Sequence, residues 1–101
     1  MRYLHTMIRV HDLDKALYFF CDLLGLREVR RRKSEKGRFT LVFLETGAGG
    51  DNGQIELTYN WDEAEPYSFG RNFGHLAYEV DDIYAVCQRL QDNGVAILRP
   101  P

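Results

Sequence analysis

His5, Glu56 and His75 are the residues of this 101-residue chain whose types and spacing could do chemistry together. Two imidazoles and a carboxylate are good ligands for a divalent transition metal. Such a metal polarises oxygen atoms of a bound substrate. Each of the three sits in a stretch of alternating polarity. Leu4, Thr6, Ile8 and Val10 alternate with His5, Met7 and Arg9. Ile55, Leu57 and Tyr59 alternate with Glu56, Thr58 and Asn60, and Leu76, Tyr78 and Val80 with His75, Ala77 and Glu79. A period of two marks a strand, so His5 shares a face with Arg9, and Glu56 with Asn60. Pattern alone leaves a plain alternative, in which these are the solvated faces of an antiparallel sheet.

The elements that must position these residues follow in order. A strand over residues 4–10 leads to a helix from about Asp14 to Leu24, capped by Asp12 or Asp14 and stopped at Gly25. Its apolar stripe is Leu13, Leu17, Phe20 and Leu24. Strands at 26–32 and 38–46 flank a turn at Ser34–Gly37, and the glycine-rich connection Gly47–Gly53 leads to a strand at 54–60. That connection lacks the Gly-Lys-Ser/Thr of a phosphate loop. After the acidic linker Asp62–Ser68 the pattern restarts with a strand at 73–80. A helix follows, capped by Asp81 or Asp82 and ending near Asn93-Gly94, and another strand opens at Val95–Leu98.

His5-Thr6-Met7-Ile8-Arg9-Val10 and His75-Leu76-Ala77-Tyr78-Glu79-Val80 lie seventy residues apart, each followed by an acidic cap and a helix. This internal repeat fixes the expected architecture. The fold class is α+β, built of paired βαβββ modules: the first at 1–61, a linker at 62–71, and the second beginning at 72–101. The second repeat holds fewer elements than the first and reads as truncated. Units of this kind are expected to form curved antiparallel sheets with one face enclosing a site. The counterpart of Glu56, seventy residues on, falls beyond Pro101, which places a fourth expected ligand outside this sequence.

Composition narrows the classes. Thirteen basic against fifteen acidic residues leave a formal charge of −2, so nothing suggests general nucleic-acid binding. No apolar run approaches the ~20 residues of a membrane span. The amino terminus goes straight into strand-like sequence without a signal-peptide core. Cys21 and Cys87 fall on helical stretches and read as buried reduced thiols, consistent with a cytoplasmic location. Arg27, Arg30, Arg31, Arg32, Lys33, Lys36 and Arg38 cluster locally. They form either a solvated hairpin or a rim that attracts an anionic substrate. His11 lies outside the motif face and reads as a loop residue, while Met7, Tyr18, Phe19 and Phe20 read as packing residues.

Three segments carry a family resemblance. The first is His5-Thr6-Met7-Ile8-Arg9-Val10 with Asp12-Leu13, Phe19-Phe20 and Leu23-Leu24-Gly25-Leu26. The second is Ile55-Glu56-Leu57-Thr58-Tyr59-Asn60-Trp61, and the third Gly70-Arg71-Asn72-Phe73-Gly74-His75-Leu76-Ala77. In order and spacing, over essentially the whole chain, they closely resemble the short bacterial type of glyoxalase I, the lactoylglutathione lyases of the vicinal oxygen chelate superfamily. The resemblance implies isomerisation of the methylglyoxal–glutathione hemithioacetal to S-lactoylglutathione through a metal-stabilised enediolate. It implies His5, Glu56 and His75 as metal ligands, with Glu56 also sharing proton transfer and a further glutamate as the main base. Arg9, Asn60 and Arg71 match family contacts to glutathione. Their plainer readings are a rim salt bridge, a local turn role and an exposed linker arginine.

The resemblance further implies a homodimer with two shared sites, His5 and Glu56 from one chain and His75 from the other. Nickel is the metal expected of this type, with cobalt or zinc possible. Two rival readings differ in kind: a non-catalytic metal- or small-molecule-binding protein of the same superfamily, and a sister enzyme such as a thiol transferase or an epimerase. The Glu-Leu-Thr-Tyr-Asn-Trp segment favours glyoxalase over both.

Overall fold

The computed structural model describes residues 1–47 and 53–101. Most of the expected glycine-rich connection at 47–53 lies outside the described residues. The chain divides into two compact units, Met1–Ser68 and Phe69–Pro101. The division falls inside the segment expected as a linker. The start of that segment is tied to the first unit, because Asn60 Nδ2 donates to Tyr67 Oη at 3.0 Å and Trp61 Nε1 to Thr40 Oγ1 at 2.8 Å.

In the first unit, strand β1 (His5–Arg9) precedes a helix, α1 (Leu13–Leu17), which widens into a π-helical turn at Tyr18–Leu23. The Asp12 side chain caps α1 by accepting from the Lys15 N–H at 3.0 Å. The amide of Leu24 reaches back five residues to the Phe19 carbonyl, the bond of a π turn. This break in the α pattern is invisible to apolar spacing. Gly25 then ends the helix at φ 84°, a left-handed conformation that costs a side-chain-bearing residue about 1 kcal/mol or more.

Strands β2 (Arg27–Ser34), β3 (Phe39–Glu45) and β4 (Gln54–Asn60) complete a four-stranded sheet of order β1-β4-β3-β2. The sheet is mixed, which corrects the antiparallel expectation: β2–β3 and β3–β4 pair antiparallel, but β1 runs parallel to β4. The intervening helix and hairpin return the chain in the direction it started, as a parallel pair requires. A bulge at Val29 shifts the β2 register between Glu28 and Arg30.

Most of the core gathers on one face, while Phe43 is buried on the other. Val42, Leu44 and Leu57 are fully buried, with Ile55, Leu23 and Leu26 close behind. The ladder pairs Val42 with Leu57 and Leu44 with Ile55, so these four stand together. Of the residues expected to pack, Phe19 and Phe20 meet edge to face at 5.1 Å, whereas Met7 and Tyr18 are exposed.

The second unit contains one regular element, α2 (Ile83–Asp92), capped by Asp82 through the Ala85 N–H at 3.0 Å. The strands expected at 73–80 and 95–98 do not form. A strand exists through ladder bonds to a neighbour, and none of the described residues pairs with either segment. Cys21 and Cys87 are both free thiols, only half-buried rather than buried as expected.

Candidate functional site

The sheet face opposite the core carries the candidate chemistry. Partners in register stand side by side on one face. One cross-strand row therefore reads Met7, Glu56, Phe43, Arg30, and the next Arg9, Thr58, Leu41, Arg32. His5 is registered with Gln54 and so lies diagonally beside Glu56 on that face.

The diagonal closes. His5 Nε2 stands 3.5 Å from Glu56 Oε1, with the imidazole 36% and the carboxylate 12% exposed. That contrast gives the pair a fixed side and an accessible side. Glu56 is held, because Thr58 Oγ1 donates to its second oxygen at 2.8 Å and Thr58 is itself buried. His5 is oriented from beneath, its ring meeting Phe43 edge to face at 5.5 Å and 78°. Phe43 in turn lies under the Arg30 guanidinium, 4.0 Å from the ring centroid. A neutral imidazole nitrogen and a carboxylate oxygen this close are two of the donors a divalent metal takes. Among the described residues, no group of three or more His, Cys, Asp or Glu side chains is placed to hold a metal ion.

The remaining expected residues divide by unit. Arg9 is exposed on the same face as Glu56, and Asn60 is half-buried at the end of β4 with its amide on Tyr67. His75 and Arg71 belong to the second unit, both exposed. His11 is exposed just after β1. Thr58 and Phe43 were missed beside Glu56, and Arg30 was read only as a member of the basic cluster. Thr58 could have been found from its two-residue spacing from Glu56. Phe43 and Arg30 depend on strand register, which a single strand's pattern does not reveal.

Three arginines of the basic cluster are paired with carboxylates. Arg31 binds Glu28 through two nitrogens at 2.7 and 3.2 Å. Arg38 binds Asp62 at 2.5 and 3.1 Å, and Arg27 reaches Glu45 at 3.5 Å. The Arg38 guanidinium holds the Asp62 carboxyl below its usual range. Burial pushes the Cys21 thiol up, with Asp22 and Glu28 adding to the shift.

Comparison with known proteins gives a consistent result. The model of the Glyoxalase/Bleomycin resistance protein/Dioxygenase superfamily matches residues 2–101. A relative from Synechocystis sp., named a probable lactoylglutathione lyase, is 47% identical over 98 residues, covering 97% of this chain and 74% of the relative. A lactoylglutathione lyase of Neisseria meningitidis serogroup A is 46% identical over 99 residues, covering 98% and 71%. Among solved structures, glyoxalase I from Zea mays superposes with a TM-score of 0.89 at 34% identity, over 99% of this chain and 35% of that one. The trypanothione-dependent glyoxalase I of Leishmania major gives 0.81 at 34% identity, over 92% and 66%.

Proposed function

The chain belongs to the Glyoxalase/Bleomycin resistance protein/Dioxygenase superfamily, and from that footing we propose that it is a lactoylglutathione lyase. It isomerises the hemithioacetal of methylglyoxal and glutathione to S-lactoylglutathione. The observation that carries this reading is the His5–Glu56 pair, set on one sheet face in a chain 47% identical to a probable lactoylglutathione lyase.

His5 and Glu56 fit a divalent metal by donor type, one nitrogen and one carboxylate oxygen, and His75 is the third ligand in this reading. Nickel, with cobalt or zinc as alternatives, is the metal these residues would hold, and it would supply stabilisation of negative charge on a bound substrate. Glu56 also takes part in moving the proton between neighbouring carbons, its carboxylate steadied by Thr58. Arg9 and Asn60 receive the glutathione portion, an arginine fork matching a carboxylate and an amide offering both donor and acceptor. Arg71 serves the same end from the second unit. The protein acts in the cytoplasm as a homodimer whose two sites each draw on both subunits.

The test is turnover of the hemithioacetal with nickel, cobalt and zinc, for the protein as it is and for His75→Ala. Metal-dependent lactoylglutathione formation that falls at least ~100-fold in the variant supports the ligand set, that loss corresponding to about 2.7 kcal/mol. Equal turnover by both proteins removes His75 from the site.

A further inference from the structure

Two arginines of β2 lie on the Glu56 face without a carboxylate partner among the described residues. Arg27, Arg31 and Arg38 each bind an acidic side chain. Arg30 and Arg32 bind none among the described residues, and both are exposed. They stand two residues apart on β2, hence on the same face and about 7 Å from each other along the strand. Arg30 is registered with Phe43, which is registered with Glu56, so it lies two strand spacings, about 10 Å, from Glu56 across the sheet. Arg32 is registered with Leu41. Between Glu56 and β2 the sheet presents two apolar residues, half-buried Leu41 and buried Phe43, the latter covered by the Arg30 guanidinium.

Arg30 is held in place by a ring, and among the described residues its donors bind no side chain. Its guanidinium stacks on the Phe43 ring at 4.0 Å, and stacking engages the face of the group while its N–H edge stays available. The arrangement is therefore two cations side by side on β2, one of them fixed by its ring contact. Charges that merely keep an edge strand from pairing need no such placement, and β2 already carries Glu28, Arg31 and Lys33 on its other face.

We propose that Arg30 and Arg32 form a subsite for an anionic group on the aldehyde-derived arm of the substrate. The protein then takes thiol adducts of 2-oxoaldehydes that end in a carboxylate. This rests on the function proposed above. Arg9 and Asn60, assigned to the thiol portion, lie on β1 and β4, while β2 is the opposite edge of the sheet. A substrate whose reacting carbons sit at Glu56 and whose thiol portion runs toward Arg9 and Asn60 sends its remaining arm toward β2, past Leu41 and the Arg30 guanidinium that covers Phe43. The reaction is still an isomerisation. The carboxylate takes no part in bond making, and no further reactant is needed.

The experiment compares two hemithioacetals that share glutathione, one from methylglyoxal and one from 4,5-dioxopentanoate. The readout is the ratio of their kcat/KM values. With Arg30→Met and Arg32→Met together, the ratio of acidic to neutral substrate falls about tenfold or more, as expected for losing charge-assisted hydrogen bonds. Arg30→Lys with Arg32→Lys recovers much of it, and in the unaltered protein raised salt lowers the ratio. An unchanged ratio in the Met variant overturns the subsite, even if both rates drop together. Absence of turnover with either substrate in the unaltered protein overturns the proposed function itself, and the subsite with it.

Discussion

His5 and Glu56 come from strands that run parallel, and they meet at 3.5 Å although each is registered with another residue, Gln54 and Met7 respectively. The contact is diagonal. It exists because β1 and β4 are neighbours despite lying at opposite ends of the βαβββ unit in sequence. Inserting β1 beside β4 turns two separated chain segments into a single donor pair.

The support behind that pair is testable at Thr58. Its hydroxyl donates to Glu56 at 2.8 Å, so Thr58→Val keeps the shape and removes the hydrogen bond. Metal affinity, measured by competition with a chromophoric chelator, is expected to weaken ~10–100-fold, the usual cost of losing a residue that orients a ligand. An affinity within twofold of the unaltered protein would show that Glu56 needs no such support.

Leu57 tests the core that holds β4 in place. It is fully buried against Val42 on the face away from the site. Leu57→Ala removes buried methyl groups and leaves a cavity, so unfolding free energy drops by about 2–5 kcal/mol. Denaturant titration measures it, and a loss below 1 kcal/mol, roughly the scale of a surface substitution, would contradict this core position.

Cys21 should be a sluggish thiol. Burial raises its pKa, with the negative charges of Asp22 and Glu28 adding to the effect. A raised pKa leaves less thiolate at a given pH, and the thiolate is the nucleophile. Alkylation by iodoacetamide at pH 8, followed residue by residue with mass spectrometry, is expected to be slower at Cys21 than for free cysteine. Its rate should still be climbing at pH values where free cysteine has levelled off.

The Arg38–Asp62 pair sets a small pH dependence. Asp62 is lowered in the folded state by its hydrogen bond to Arg38 and by that residue's charge. Its contribution to stability is therefore present above the unfolded carboxylate value and is lost as pH falls through the folded value. Both groups are exposed, and the gain is correspondingly slight and salt-sensitive. Comparing thermal unfolding of the protein and Asp62→Asn at neutral and strongly acidic pH, the difference in Tm should shrink toward acid. A difference that grows toward acid would reverse the sign argued here.

Much of this was legible from residue order because local signals were strong. The period-two alternation around His5 and Glu56 located β1 and β4 and put each residue on the correct face. The acidic caps and Gly25 bracketed α1, although the π turn at Tyr18–Leu23 left no trace in apolar spacing. The sheet's mixed pairing was not legible, since strand direction depends on the path of the whole chain. The alternation at 73–80 was as clear as that at 4–10 and yet formed no strand, because alternation describes which face a residue would take and not whether a neighbour exists to pair with. Within the site, Glu56 could be read from its motif. Phe43 could not, since it joins the site through cross-strand register, and Arg30 was legible as a member of the basic cluster but not as a neighbour of Phe43.

The most direct test of the central claim is metal-dependent turnover of the methylglyoxal–glutathione hemithioacetal by the protein and by Glu56→Gln, each stripped with chelator and then titrated with nickel. The His5–Glu56 site predicts that the stripped protein is inactive, that nickel restores lactoylglutathione formation, and that the variant recovers less than about one hundredth of it, a barrier change of roughly 2.7 kcal/mol. Turnover that survives the chelator, or a variant that regains full activity with nickel, would contradict it.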